Sequence, residues 1–163
     1  IAGIAPHFTT KRMLDDYINQ YYSPLYKRSS KVIADNFKVA RDLSRWKNKI
    51  YENWDKIEVV SVDFPSTLKT EFKAGQNYHG EVIVDIKNLD IDEVGVEMVI
   101  MDQDCTKLLD RKELKLNKHV DSMAFFEIDF KLDHPGSYDY GVRLFAKNVD
   151  LPHRQDVPLL RWV

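Results

Sequence analysis

The chain has 163 residues, of which 44% are hydrophobic and 31% are charged, and its formal net charge is −2. This is an ordinary soluble globular composition, and so small a net charge argues against a nucleic-acid-binding protein. A single cysteine, Cys105, excludes an internal disulfide and fits a reducing compartment, so we expect a cytoplasmic protein. No apolar run approaches the ~20 residues that cross a bilayer and the N-terminus does not resemble a signal peptide, so we expect no membrane contact.

The first predicted element is a helix over residues 8–22. Thr9 or Thr10 can cap it, because a side-chain oxygen there accepts hydrogen bonds from the free N–H groups of the first turn. Ser23-Pro24 is predicted to end this helix. Apolar residues recur along it at three- and four-residue steps: Phe8, Met13, Leu14, Tyr17, Ile18, Tyr21 and Tyr22.

The second predicted element is one long helix over residues 25–56, uninterrupted by proline or glycine. Its length exceeds the ~11–12 residues of an average globular helix, and the first helix alone is too short to cover it. We therefore expect it to lie on a longer surface. Its apolar stripe consists of Leu25, Val32, Ile33, Phe37, Ala40, Leu43, Trp46, Ile50 and Trp54.

After residue 57 the apolar period changes from 3.6 to 2, which indicates strands. Together with the helices, this predicts an α+β protein: a helical arm, 1–56, followed by a seven-stranded antiparallel β-sandwich of immunoglobulin type, 57–163. The predicted strands are 57–64, 78–87, 94–102, 106–116, 122–132, 137–147 and 157–163.

A tyrosine pair at the start of the sixth predicted strand supports the immunoglobulin-like interpretation. Tyr138 lies two residues before Tyr140, as a tyrosine precedes the second core position of that strand in such domains. We expect the Tyr138 hydroxyl to bond back to the backbone at the corner. Tyr140 would then take the core position.

Alternation of side chains divides each strand into an inner and an outer face. The predicted inner face consists of Val82, Val84, Ile86, Val96, Met98, Ile100, Ala124, Phe126, Ile128, Phe130, Tyr138, Tyr140, Val142 and Leu144. The outer faces carry charged residues but also Ile83, Val99, Met101, Met123, Phe125 and Phe145. A free sandwich rarely exposes so much apolar area, so we expect one outer face to be covered, with the long helix as the natural cover.

Charge is unevenly distributed between the two predicted parts. Residues 1–56 carry 11 Lys/Arg against 6 Asp/Glu, a net +5, whereas residues 57–163 carry 13 against 20, a net −7. The basic helical surface is either a solvated face or a contact for an anionic partner or acidic neighbouring domain. Its members are Lys27, Arg28, Lys31, Lys38, Arg41, Arg45, Lys47 and Lys49.

No catalytic, cofactor-binding or metal site is predicted from the residues themselves. His7, His79, His119, His134 and His153 lack partners at metal-ligand spacing, and Cys105 has no organised base nearby in sequence. Asp102, Asp104, Thr106 and Glu113 have the spacing of a calcium loop, but Lys107 stands where that loop needs glycine. Trp46, Trp54 and Trp162 could stack on sugar rings, although the first two fit helix packing better.

Three stretches of the sequence carry family-type motifs. The first is APHFTTKRMLDDYINQYY, with the step Phe8-Thr9-Thr10-Lys11-Arg12 at a helix start, and the second is YSPLYKRSSKVIADNFKVARDLSRWKNKIYENWDKIEVVSV. The third is GSYDYGVRLFAKNVDLPHRQDVPLLRWV, with its Gly-x-Tyr-x-Tyr-x-Val-Arg strand and terminal Leu-x-Arg-Trp. In this order they resemble the C-terminal region of the shorter, bacterial and archaeal α-glucan phosphorylases of the glycogen and maltodextrin phosphorylase family.

The resemblance implies a larger parent enzyme with two Rossmann-like domains and pyridoxal phosphate held by a lysine Schiff base. That parent would transfer glucosyl units from an α-1,4-glucan to phosphate, giving glucose 1-phosphate. The family's cofactor-lysine motif, Gly-Thr-Ser/Gly-x-Met-Lys, is missing here and the phosphate ligands lie upstream, so no catalytic residue is assigned to this chain. We expect Ile1 to follow a cut within or just after the second Rossmann-like domain.

Partners follow from the same resemblance. The arm's apolar residues would pack on the upstream catalytic domains, and α-glucan is a candidate ligand. A homodimer through the same stripe is an alternative. A stand-alone sandwich module that binds protein or carbohydrate is the competing interpretation of the whole chain.

Overall fold

The computed structural model describes residues 9–65, 75–102, 106–131 and 138–163. Contacts divide the chain into two compact units, Ile1–Trp46 and Lys47–Val163. The sequence predicted a boundary between a helical arm and a sandwich domain at residues 56/57, and that domain boundary stays a prediction. Within the described residues, no helix has an apolar stretch long enough to cross a membrane.

The N-terminal unit begins with α1, Thr10–Tyr17, and the predicted cap is confirmed because Thr9 Oγ1 accepts a hydrogen bond from the Arg12 N–H at 3.2 Å. A π-helical turn, Ile18–Tyr22, leads directly into the next helix. The predicted break at Ser23-Pro24 is wrong. The helical backbone continues through Pro24, whose missing N–H falls directly after the π-helical turn, where the Ser23 N–H bonds to the Ile18 carbonyl.

The second helix, α2, spans Ser23–Asn53 and has one interruption. The last three residues of the predicted long helix, Trp54–Lys56, form a 3-10 turn instead. At Ala34 the backbone is extended, with φ −54° and ψ 153°, and 35–37 are left-handed with φ between 50° and 60°. Aspartate and asparagine tolerate this conformation better than most residues, but Phe37 does not. No proline or glycine marks this site, so the sequence pattern missed it.

The apolar stripe of the N-terminal unit is exposed. No residue of α1 or of the π-helical turn is buried. The exposed apolar side chains of this unit include Met13, Leu14, Tyr17, Ile18, Tyr21, Tyr22, Leu25, Tyr26, Ile33 and Phe37. We call Met13 to Tyr26 of this set the arm stripe. An apolar surface of this size usually marks an interaction site.

The second unit contains two four-stranded sheets with antiparallel pairing throughout the described strands. The first sheet has the order β1-β2-β6-β5 and the second β4-β3-β7-β8. The strands are β1 Glu58–Asp63, β2 Asn77–Asp85, β3 Val94–Asp102, β4 Leu108–Glu113, β5 Lys115–Val120, β6 Met123–Lys131, β7 Tyr138–Ala146 and β8 Leu160–Trp162.

The predicted count of seven strands is wrong, since the described residues contain eight. The predicted strand 106–116 is divided at Leu114, which is buried and donates its N–H to the Val96 carbonyl at 2.8 Å. On either side of Leu114 the chain pairs with a different sheet. Period-2 alternation continues through such a crossing, so the pattern alone does not reveal it.

The predicted inner face is confirmed for twelve of its members, all of which are buried: Val82, Val84, Ile86, Val96, Met98, Ile100, Ala124, Phe126, Ile128, Phe130, Val142 and Leu144. Tyr140 is half-buried, and its ring lies 5.9 Å from that of Phe64 between centroids. The Tyr140 hydroxyl donates to the Pro65 carbonyl. The side chain of Tyr138, for which the corner bond was predicted, lies outside the described residues.

The end of α2 belongs to the sandwich unit. Ile50, Trp54 and Ile57 are buried. Lys49 Nζ donates to Asp90 Oδ2 at 2.6 Å and to Glu93 Oε2 at 2.8 Å, just before β3. These last helical residues therefore anchor at one end of the sandwich. Cover of an outer face by the rest of the long helix stays a prediction.

Candidate functional site

The outer face of the second sheet brings charged and aromatic side chains together. Because β3 and β7 run antiparallel, residues two apart on each strand meet in successive rows across the sheet. The rows pair Gly95 with Phe145, Glu97 with Arg143, and Val99 with Gly141. The next strands extend the middle row at both ends, with Glu113 on β4 and Trp162 on β8.

A buried carboxylate lies at the centre of this face. Glu97 is only 1% exposed, although its strand position predicted a solvated residue. Arg143 binds its Oε1 through Nε at 2.8 Å and Nη2 at 2.6 Å, and Arg154 Nη1 donates to Oε2 at 2.5 Å. Arg111 Nε lies 3.5 Å from Oε2. Three guanidinium groups thus compensate one carboxylate, as a buried charge requires.

The pKa of Glu97 lies below its ordinary value. Burial acts to raise it, but the hydrogen bonds from Arg154 and Arg143 outweigh burial. Glu97 is therefore ionised at neutral pH. A general acid or base works best with a pKa near the operating pH, so this carboxylate is suited to holding structure together rather than to proton transfer.

The segment between β7 and β8 lies across this outer face. The Arg154 guanidinium carbon lies 3.7 Å from the centroid of the Phe145 ring, and Lys147 Nζ lies 2.6 Å from Glu113 Oε1. A cleft of about 410 Å³ opens beside the cluster. At Phe145, a residue predicted to need cover, Arg154 supplies that cover.

A second recess on the same face is lined mainly by apolar side chains. We call it the aromatic groove; its volume is about 500 Å³. Trp162 is 59% exposed, and the guanidinium carbon of Arg143 lies 5.2 Å from the centroid of the Trp162 ring. The lining residues are Val99, Met101, Leu108, Asp139, Tyr140, Gly141, Arg143 and Trp162.

Comparison with known families decides the relationship of the chain. The family model described as the glycogen phosphorylase C-terminal domain matches residues 54–163. The chain belongs to this family. The resemblance found in the sequence is thereby confirmed, and the match covers nearly the whole sandwich unit.

Individual relatives of this phosphorylase C-terminal domain extend the match to the helical arm. A maltodextrin phosphorylase from Thermococcus litoralis is 28% identical over 99% of the chain and 19% of its own length. A glycogen phosphorylase from Mycobacterium tuberculosis is 24% identical over 91% of the chain and 15% of its own length. The chain thus spans less than a fifth of the length of these curated relatives.

The histidines of this phosphorylase domain do not meet at one place in the described structure. His79 Nδ1 lies 2.9 Å from Asp129 Oδ1 on the first sheet, His119 lies on β5, and His153 lines the cleft beside Glu97. His7 and His134 lie outside the described residues. Among the residues that the structure describes, no three His, Cys, Asp or Glu side chains form a group that could hold a metal ion.

The residues with calcium-loop spacing are separated. Asp102, the last residue of β3, accepts hydrogen bonds from the Thr106 N–H and hydroxyl, both at 2.7 Å. Glu113 lies at the other end of β4, opposite Glu97. Asp104 and Cys105 fall outside the described residues. Because β3 and β4 run antiparallel, the residues at positions 1 and 12 of such a loop, Asp102 and Glu113, lie at opposite ends of the strand pair and do not surround one ion.

The structure shows how exposed the three tryptophans are and which ion pairs the basic surface of α2 forms. Trp46 and Trp54 are 7% and 4% exposed, so neither ring is accessible for stacking, whereas Trp162 is. On α2, Asp42 forms ion pairs with Lys38 at 2.6 Å and with Arg45. These pairs are typical of a solvated helix surface and contribute little to stability.

Sequence patterns missed Glu97 and Arg154. Alternation marked Glu97 as solvent-facing, and Arg154 lies in a short 3-10 helix between β7 and β8, outside the alternating strands. The only signal was the composition of VGVEMVIM, where a single acid stands among apolar residues of one strand. A lone acid in such a run requires a cation, but the sequence does not say which one.

Proposed function

We propose that the chain is the C-terminal, non-catalytic region of an α-glucan phosphorylase, whose complete polypeptide transfers glucosyl units from α-1,4-glucan to phosphate and yields glucose 1-phosphate. The observation that carries this proposal is the family match over residues 54–163 together with relatives that this chain covers for less than a fifth of their length. The names of those relatives supply the glucan and the phosphorolysis.

Catalysis belongs to the upstream part of the polypeptide in this proposal. Pyridoxal phosphate, which supplies acid–base chemistry through its phosphate, needs a lysine with a lowered pKa to form its Schiff base. We place that lysine upstream because the family's Gly-Thr-Ser/Gly-x-Met-Lys motif is missing from this sequence. Lys87 and Lys49 of this chain have the opposite shift: hydrogen bonds to Asp85 and Glu58 raise the pKa of Lys87, and for Lys49 burial acts to lower the pKa, but Asp90 and Glu93 outweigh it.

The helical arm contacts the upstream catalytic domains through the arm stripe. Exposure of six tyrosine and aliphatic side chains between Met13 and Tyr22 supports this role, because water-exposed apolar area of this extent is costly in a finished protein. A homodimer that buries the same stripe is the alternative occupant. The basic residues 1–56 and the acidic residues 57–163 could each form ion pairs with neighbouring parts of the parent enzyme.

The sandwich acts as an accessory domain of immunoglobulin-like topology. Its first sheet, β1-β2-β6-β5, has the order of the A-B-E-D sheet of such domains, and its second sheet adds the edge strand β4 to the order C-F-G. We place the protein in the cytoplasm because its single cysteine fits a reducing compartment. Its role in this proposal is to brace the catalytic part and set the oligomeric state, or to guide glucan.

The test is phosphorolysis by the longer polypeptide that the reading frame upstream of Ile1 encodes. We expect glucose 1-phosphate from maltoheptaose and phosphate, measured by a coupled dehydrogenase assay, and no product from the 163-residue chain alone. Tyr17→Lys with Ile18→Lys should impair assembly of the longer enzyme, and the matched pair Asp15→Lys with Asn19→Lys, at exposed polar positions of the same helical segment, should not. A reading frame without a cofactor lysine would favour the stand-alone module.

A further inference from the structure

We propose that residues 34–37 form a conformational switch in α2, which is interrupted in this chain and becomes one continuous helix when the upstream part of the parent enzyme covers the arm. The identity of that partner rests on the proposed function. In the interrupted form, the helical pieces before residue 34 and after residue 37 have separate axes. In the continuous form they share one axis, so the switch sets the direction of α1 and the start of α2 relative to residues 38–46.

The backbone at the interruption is strained. Asp35, Asn36 and Phe37 follow one another with φ of 50°, 54° and 60°, directly after the extended Ala34. The left-handed conformation brings a Cβ atom close to the following carbonyl oxygen, so residues other than glycine adopt it singly and not in succession. Glycine stands at none of these positions. Backbone strain of this kind occurs preferentially at functional sites and in switch regions.

The surroundings of this strained segment restrain it weakly. All four residues from 34 to 37 are exposed, and half of the Phe37 side chain is open to solvent. Arg41 Nη1 donates to the Asn36 carbonyl, but this is an exposed contact that one rotation of the arginine side chain breaks. Because the described neighbours do not bury these residues, changes in φ and ψ at a few positions are sufficient to release the strain.

The sequence is compatible with both forms of α2. Asp35 and Asn36 tolerate the left-handed conformation better than most residues, which favours the interrupted form. The continuous form is favoured by the lack of proline and glycine over residues 25–56, and it would place Ile33 and Phe37, four residues apart, on one face. Both side chains are exposed in the interrupted form. A partner that covers the stripe on both helical pieces binds the continuous form better and shifts the equilibrium towards it.

The experiment measures the distance across residues 34–37 by double electron–electron resonance. Spin labels are attached at Ser30→Cys and Ser44→Cys, two exposed positions of α2, with every other cysteine replaced by serine. In a continuous helix the backbone rises ~1.5 Å per residue, so the two labelled positions lie about 21 Å apart. We expect this separation in the longer enzyme that the reading frame upstream of Ile1 encodes, and a different separation in the isolated 163-residue chain.

Two variants shift the switch in opposite directions. Asn36→Gly with Phe37→Gly removes the Cβ atoms that clash and lowers helix propensity, so it should keep the longer enzyme in the interrupted form. Asp35→Ala with Asn36→Ala should shift the isolated chain to the continuous separation and increase its helical circular dichroism signal. The matched control is Tyr51→Gly with Glu52→Gly, an exposed aromatic and polar pair on α2 outside the labelled interval, which should leave both separations unchanged.

Three outcomes overturn the inference: equal separations in the isolated chain and the longer enzyme, a separation other than about 21 Å in the longer enzyme, or an isolated Asp35→Ala, Asn36→Ala chain that keeps the separation of the unsubstituted chain. The proposed function fails separately, since it depends on phosphorolysis. If the longer enzyme still yields glucose 1-phosphate, the proposed function survives the loss of this inference.

Discussion

The ring of Phe145 lies directly over the backbone of Gly95, its register partner on β3, so that any Cβ atom at residue 95 would overlap it. Glycine at this position is thus required by a neighbour across the sheet and not by a turn. Arg154 covers the other side of the same ring, 3.7 Å from its centroid. The contact ties β3, β7 and the segment before β8 into one layer.

Gly95→Ala should destabilise the sandwich by about 1–3 kcal/mol, because the Phe145 ring has to move to admit a methyl group. Urea unfolding monitored by circular dichroism measures the change. The matched background is Phe145→Ala, in which the same Gly95→Ala substitution should cost much less. Equal costs in both backgrounds would show that the ring is not the obstacle.

Glu97→Gln should destabilise the sandwich by about 3–5 kcal/mol, since it leaves the guanidinium groups of Arg143 and Arg154 without their carboxylate. Thermal unfolding provides the measurement. Glu81→Gln, on the first sheet, is the control and should shift the unfolding temperature little. A small effect of Glu97→Gln would mean that the cluster contributes no net stability.

Acid should weaken the sandwich through the same carboxylate. The pKa of Glu97 is lower in the folded chain than its ordinary value of 4.5, so its stabilising contribution is present above that value. It is lost as the pH falls through the folded pKa. Unfolding free energies measured from neutral pH downward should therefore decrease more steeply in the parent chain than in Glu97→Gln. Parallel curves would contradict this assignment.

His79 should titrate above its ordinary pKa of 6.5, chiefly because of its hydrogen bond to Asp129, which outweighs the opposing effect of burial. Asp129→Asn should lower the pKa of His79, as NMR titration of the imidazole resonances would reveal. Asp110→Asn, on the second sheet, is the control and should leave that titration unchanged. The shift stabilises the folded state below the ordinary pKa and disappears as pH rises through the folded value.

Truncation should distinguish two boundaries. A chain of residues 57–163 loses Ile50 and Trp54, which are buried in the sandwich unit, so we expect it to aggregate or bind a hydrophobic dye. A chain of residues 47–163 retains both and should bind less dye. Dye fluorescence and light scattering compare them. A soluble, dye-silent 57–163 chain would argue that the helix end does not protect the core.

Much of the sandwich was predictable because half-buried strands alternate in a way that survives any tertiary arrangement. The inner-face residues from Val82 to Leu144 were identified from that alternation, and β3 was bounded correctly at Val94–Asp102. The division at Leu114 was not predictable, because a chain that changes sheets keeps the same period. Tyr140, assigned to a core position, makes a hydroxyl–backbone bond to Pro65, which is 75 residues distant in sequence.

The sequence by itself determined the class of fold, a helix cap at Thr9 or Thr10, the buried face of the strands and the family relationship, since each depends on local pattern or on residue order. Only the tertiary structure decided the charge state and partners of Glu97 and the cover that Arg154 provides for Phe145. It also decided that Trp162 is exposed whereas Trp46 and Trp54 are buried. The physical reason is distance along the chain. Glu97 and Arg154 are 57 residues apart, and no local pattern specifies which distant cation compensates a buried carboxylate.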